Sequence, residues 1–144
     1  MGAADRPFLD SYLAAWNAHD SAAVARHMAD DAIYEDVALG RVLHGPSEMA
    51  SFVEEATRSS SDFRFEVVSL FASGTDYANE WVMVGTNDRE VRGVPPTGRS
   101  FRVRGASIGK LDTNGRMVEN RDYYNLAELL KQLGILPTAP SQPG

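Results

Sequence analysis

Along the first sixty residues the apolar positions recur at helical spacing, and after them the spacing changes to every second position. Phe8, Tyr12, Leu13, Ala15 and Trp16 share one face of a 3.6-residue period, which predicts a helix that Asn17-Ala-His-Asp20 breaks. Asp20 or Ser21 is placed to cap a short second helix running through Met28. Ala32 to Val37 reads as a short strand and Leu43-His-Gly-Pro46 as a turn. A third helix follows from Ser47 to Arg58, with Pro46 suited to an early helical position. Beyond Ser59-Ser-Ser61, Phe63, Phe65 and Val67 alternate with Arg64 and Glu66, as a half-buried strand requires. Three long strands are expected, Phe63 to Ala72, Tyr77 to Asn87 and Arg99 to Leu111, parted by Ser73-Gly74 and the Pro95-Pro-Thr-Gly98 loop. Asp112-Thr-Asn-Gly115 is a hairpin turn into a strand from Arg116 to Tyr124. Asn125 then opens a last helix, ending at Gly134, with Leu126, Leu129, Leu130 and Leu133 as its apolar stripe.

Helix, helix, strand, helix, four strands and a helix make an α+β chain. It can curl one antiparallel sheet around its helices into a cone whose open end is a pocket. With 144 residues, 43% of them hydrophobic, residues 1–136 fit one domain able to bury roughly 68% of its unfolded surface, and the Pro-rich tail 137–144 is expected to be disordered. A net charge of −6 argues against nucleic acid and anionic membrane as partners and leaves a small molecule or a second copy of the chain. The chain has no cysteine, hence no disulfide, thiol nucleophile or Cys-ligated metal. Its N-terminus lacks the basic-then-apolar order of a secretory signal, so a cytoplasmic protein is expected. No apolar run approaches the roughly 20 residues of a membrane span.

Among candidate chemical groups, Asp122 comes first. On a period-2 strand Val118, Asn120 and Asp122 share a face, so this carboxylate aims into whatever the sheet encloses. Its structural alternative is an ion pair with Arg121, Arg102 or Arg104. Asp36, at a strand end beside a turn, either caps backbone amides or joins the site. Tyr12 and Trp16, one helical turn apart, are core residues or pocket wall. The three histidines show no metal-ligand spacing, and no metal is assigned. Pro95 and Pro96 lack the amide donors of a phosphate cradle, which makes their loop a hairpin connection near the pocket mouth. Arg102 and Arg104 alternate along one strand and suit pairing across the sheet or a dimer interface.

Six pieces in order carry a family resemblance: Ala29-Asp-Asp-Ala32, Tyr34-Glu-Asp36, His44-Gly45, Pro95-Pro-Thr-Gly-Arg99, Asn114-Gly-Arg116 and Leu129-Leu-Lys-Gln-Leu-Gly134. From about residue 7 to 136 the chain resembles the nuclear-transport-factor-2-like superfamily, and within it the SnoaL-like polyketide cyclases. The resemblance implies a cone-shaped α+β barrel, a homodimer through the sheet and a cofactor-free pocket, but no particular reaction. By similarity to ketosteroid isomerases, Asp36 stands at the general base and Tyr12 at the oxyanion-hole tyrosine. Ser107 and Val53 replace that family's second acid and a supporting tyrosine. By similarity to limonene-type epoxide hydrolases, Asn120-Arg-Asp-Tyr-Tyr-Asn125 puts Asp122 at the water-activating aspartate, with Tyr34 and Asp36 at the water-holding positions. Trp81 and Met83 replace the remaining arginine and aspartate. Common to both comparisons is a pocket with two carboxylates, one or two tyrosines and walls of Phe52, Phe65, Trp81 and Met83, to which Trp16, Ser107 and Asn120 are added as substrate-binding positions.

Apolar walls and a second carboxylate raise the pKa of a pocket aspartate toward the range where it trades protons with an activated carbon acid. The expectation is therefore a cofactor-free enzyme acting on an apolar, oxygenated small molecule. Polyketide cyclisation by an intramolecular aldol step comes first, with Asp122 as acid/base, Asp36 in support and a tyrosine hydroxyl facing the enolate oxygen. Activation of water for epoxide opening, hydration or hydroxylation is the alternative within enzymes, and a non-catalytic binding or dimerisation module the alternative outside them.

Overall fold

The computed structural model describes residues 6–91 and 93–135. The expected tail from 137 lies outside them. Helices α1 (Arg6–Asn17) and α2 (Ser21–Ala25) precede strands β1 (Met28–Asp36) and β2 (Arg41–His44). Helix α3 (Gly45–Arg58), strands β3 (Arg64–Ser73), β4 (Asp76–Thr86), β5 (Ser100–Leu111) and β6 (Met117–Tyr124), and helix α4 (Leu126–Gln132) complete the order.

The expected elements form, with two corrections. Asp20 caps α2 as expected, its side chain accepting from the Ala23 amide at 3.0 Å, but α2 ends at Ala25. Met28 instead begins β1, because Met117 donates its amide to the His27 carbonyl at 2.8 Å and pairs with Met28 across the strands. Burial of both methionine side chains fixes that choice, one that spacing along α2 cannot reveal. Where a turn was expected before α3, residues 41–44 form β2, paired antiparallel with β1 from Ile33↔His44 to Asp36↔Arg41. The turn is compressed into Gly45, whose φ is +80° and whose missing Cβ would lie 2.9 Å from the Asp30 carbonyl oxygen.

The six strands make one curved, unclosed sheet in the order β2-β1-β6-β5-β4-β3. Every pairing is antiparallel except β1 with β6, which run parallel. That join brings the end of β1 beside the end of β6. Helices α1 to α3 fill the concave face, where Leu9, Leu13, Trp16, Val24, Met49 and Val53 pack with Met28, Leu111 and Met117 from the strands. Along β4 and β5 burial alternates, so that Tyr77, Asn79, Trp81, Met83, Phe101, Val103, Gly105, Ser107 and Gly109 all face inward. On the opposite face Arg102 reaches Glu66 at 3.1 Å and Arg104 reaches Glu80 at 3.8 Å, the pairing across the sheet that their alternation suggested. No helix among the described residues is long and apolar enough to cross a membrane.

Candidate active site

Register places four polar side chains in one row across the inward face. Asp36 of β1 is paired with Asp122 of β6, Asp122 with Ser107 of β5, and Ser107 with Asn79 of β4. With strands about 4.8 Å apart, the two carboxylates are lateral neighbours. Asp36 and Asp122 are only 3% and 7% exposed, so neither charge is solvated as a surface carboxylate is.

Three donors hold Asp122. Its Oδ1 accepts from Ser107 Oγ at 2.5 Å and from Asn120 Nδ2 at 2.7 Å, and its Oδ2 accepts from the Tyr34 hydroxyl. Two of these donors are themselves oriented from behind. Trp81 Nε1 donates to Ser107 Oγ at 2.8 Å, and the Tyr77 hydroxyl donates to Asn120 Oδ1 at 2.6 Å. Gly105 and Gly109 explain how two bulky rings reach these atoms: a Cβ at Gly105 would lie 2.4 Å from Trp81 Cη2, and one at Gly109 would lie 2.3 Å from the Tyr77 hydroxyl. The rings lie over the bare backbone of β5 on either side of Ser107.

Burial dominates the electrostatics. Desolvation pushes the Asp122 carboxyl up to about 6; the donors Ser107, Tyr34 and Asn120 pull it back, and the nearby Asp36 charge adds to the rise. Asp36 is also raised by burial, against the opposing effects of the Leu39 amide, the Tyr124 hydroxyl and the Arg41 cation. Its Oδ1 caps the turn by accepting from the Leu39 amide at 2.9 Å, as one reading expected, while its Oδ2 accepts from the Tyr124 hydroxyl at 3.0 Å at the cavity wall. The Tyr34 and Tyr124 phenols are raised by burial first and then by the carboxylates, which keeps them protonated donors.

Both carboxylates open onto a cavity of about 390 Å³. Trp16, Tyr34, Phe52, Phe65, Trp81 and Met83 line it as expected, with edge-to-face contacts of 5.2 Å between Trp16 and Phe65 and 5.0 Å between Phe65 and Trp81. Tyr12, Ser107 and Asn120 do not line it. They border a smaller chamber that also touches Asp122; Ser107 and Asn120 bond to that carboxylate, and Tyr12 does not. Pro95 and Thr97 stand at the cavity, where the sequence put the hairpin loop.

Sequence reasoning missed Tyr124, Arg41 and the wall supplied by α4. Tyr124 continues the Asn120, Asp122 alternation by one step and was legible there. Arg41 was hidden because no element was expected between Val37 and Leu43; its Nη1 meets Glu55 at 2.9 Å and its guanidinium lies 5.2 Å from the Phe52 ring centre. Leu129 and Leu133, half of the predicted stripe, face the cavity instead of a closed core. Among the described residues no group of three His, Asp or Glu side chains is placed to hold a metal ion. His19 Nε2 lies 2.8 Å from the Phe63 carbonyl oxygen, and His27 sits between Ser11 and the Ala23 carbonyl.

A model of the SnoaL-like polyketide cyclase family matches residues 8–133. The sequence matches no curated protein. Among solved structures the chain is similar to AclR, a candidate hydroxylase from Streptomyces galilaeus, at 25% identity and TM-score 0.77 over 93% of this chain and 87% of that one. IdmH, a candidate polyketide cyclase from Streptomyces antibioticus, aligns at 23% identity and TM-score 0.77 over 89% of this chain and 96% of that one. A protein of ketosteroid isomerase-like fold from Catenulispora acidiphila, in complex with trimethylamine, aligns at 22% identity and TM-score 0.77, covering 92% and 97%.

Proposed function

The chain belongs to the SnoaL-like polyketide cyclase family, and we infer that it is a cofactor-free acid–base enzyme that closes a ring in an apolar, oxygenated substrate by an intramolecular aldol step. One observation carries this reading. A buried carboxylate with its pKa raised to about 6 borders a largely apolar cavity beside a second carboxylate. At neutral pH Asp122 is mostly ionised and basic enough to take a proton from a carbon flanked by two carbonyls. The resulting enolate carbon attacks a carbonyl carbon of the same folded chain. The new C–C bond leaves an alkoxide, which recovers the proton from Asp122, so that product and substrate are isomers until water is lost. The cavity falls in the 300–1,000 Å³ range typical of small-molecule sites, and its aromatic walls favour one compact conformer with the reacting atoms close together. Arg41, in register with Asp36 at the cavity wall, offers N–H groups to an oxygen that gains negative charge.

Incubation with a panel of linear poly-β-ketones, followed by mass spectrometry, tests the reading. Products should have the substrate's mass or be lighter by one water. Since the base must be ionised, kcat/KM should fall about tenfold per pH unit below 6 and level off above it. A flat profile between pH 4 and 8 removes Asp122 as the base. The water-activating alternative is favoured by the shared hydrogen bond of Tyr34 and Asp122 at the cavity wall; oxygen from labelled water appears in the product only on that alternative.

A homodimer through the outer sheet face belongs to the same proposal. Phe71 is 69% exposed there, in register with Ala78 and through it with the exposed Ile108. Light scattering should give twice the chain mass of 15.7 kDa, and Phe71→Glu should return it to the single-chain value. A wild-type protein of single-chain mass at micromolar concentration overturns the dimer.

A further inference from the structure

The chamber that Asp122 shares with Tyr12, Ser107 and Asn120 holds about 20 Å³. Helix α1 contributes Phe8, Leu9, Leu13 and Trp16 to its wall and one hydroxyl, that of Tyr12. That hydroxyl is buried and makes no well-aligned hydrogen bond among the described residues, although the Trp16 and Tyr34 side chains lie close enough to act on it. Its ring cannot swing outward, because it stacks on Phe8 at 5.8 Å and meets the His27 ring edge-on at 5.7 Å. From the opposite wall Asn79 faces inward between Tyr77 and Trp81, in register with Ser107, and its amide is not drawn into the hydrogen bonds that hold Asp122. An orphaned buried hydroxyl is rare in folded proteins, and an inward Asn on a strand otherwise lined by Tyr, Trp and Met is unusual for the same reason. The chamber's volume exceeds the about 10–15 Å³ that one water needs, and Tyr12 and Asn79 both border it.

We propose that this chamber binds one internal water, held by the Tyr12 hydroxyl and the Asn79 amide and seated against the Ser107–Asn120–Asp122 network. The water occupies a site distinct from the large cavity and does not reach substrate. Its effect passes through Ser107 and Asn120: by completing their surroundings with a mobile dipole, it favours the ionised form of Asp122. Tyr12 is thereby a positioning residue and not an oxyanion donor, which accounts for a tyrosine at a helix position where phenylalanine would pack as well.

Atomic-resolution diffraction from the ligand-free wild-type protein and from Tyr12→Phe tests the site. The wild-type map should show a density peak at about 2.7–3.0 Å from the Tyr12 hydroxyl and from the Asn79 amide, and the variant map should lack it. A water-bonded hydroxyl and a dry one also give opposite melting shifts. Tyr12→Phe lowers Tm by about 2–4 °C if a hydrogen bond is lost, and raises it if an unpartnered polar atom is removed. The 13C titration of the Asp122 carboxyl should move to higher pH in Tyr12→Phe and in Asn79→Leu, whose side chain fills the chamber; a role confined to packing leaves that midpoint in place. An empty chamber in the wild-type map, a raised Tm or an unmoved midpoint overturns the proposal. None of these readouts uses turnover, so the internal water and the cyclase reading stand or fall separately.

Discussion

Replacing Asp122 by Asn should reduce ring-forming turnover by about 10²–10⁴-fold, the contribution of a positioned general base, while the protein stays folded. The substitution preserves volume at a site whose three donors are fixed by other elements, so the cavity keeps its shape. What disappears is a carboxylate that both faces the cavity and is basic near neutrality. The stability side has a definite sign. A carboxyl raised to about 6 in the folded chain, against about 3.9 when unfolded, favours folding fully below pH 4, and that benefit is lost as pH rises through 6. Above pH 7 the ionised Asp122 is therefore a burden on the native state. Asn lifts that burden but sets its NH2 group against the Asn120 donor, so the two effects oppose each other. Circular dichroism should remain native at pH 8, with kcat lost and KM changed far less. An Asp122→Asn protein that keeps full activity would remove Asp122 from the chemistry.

Gly105→Ala should have the largest effect on stability. Its Cβ would enter the six-membered ring of Trp81, and that ring is 4% exposed and packed against Phe65 and Tyr124. Overpacking of this kind costs about 1–3 kcal/mol when neighbours can shift and more when they cannot. Here the expectation is about 3 kcal/mol, or roughly 10 °C in Tm for a chain of this size. The same movement carries Trp81 Nε1 away from Ser107, so the Asp122 titration should rise along with the loss of stability. Differential scanning calorimetry and the carboxyl 13C titration read the two effects. A Gly105→Ala protein that melts with wild type would show that β5 has slack beneath the indole.

The contrast between β5 and β2 shows what a sequence makes legible. Alternation along β5 and β6 places Ser107, Asn120 and Asp122 on the inward face, because side-chain period is a local property of strands. The inward face of Tyr34 and Asp36 follows in the same way from β1. Nothing local states that β1 lies parallel to β6, or that residues 41–44 pair with β1, since both depend on which strand edges remain free once the helices are seated. Arg41 was missed for that reason. Tyr12 reads equally well as core or pocket, because helical spacing fixes its face but not the depth of the floor beneath it. Asp36 similarly combines a turn cap and a cavity carboxylate, two roles that residue type alone cannot separate.

The parallel join of β1 and β6 also bears on how the protein comes to be active. Tyr34 meets Asp122, and Tyr124 meets Asp36, across 88 residues of chain. Hairpins of β3 with β4 and β4 with β5 form between near neighbours, whereas this seam must close a loop spanning most of the molecule, the slowest kind of encounter in a folding chain. On loop-closure grounds the two carboxylates are expected to come together late, so that on the proposed function a partly refolded molecule with its hairpins already in place should still lack activity.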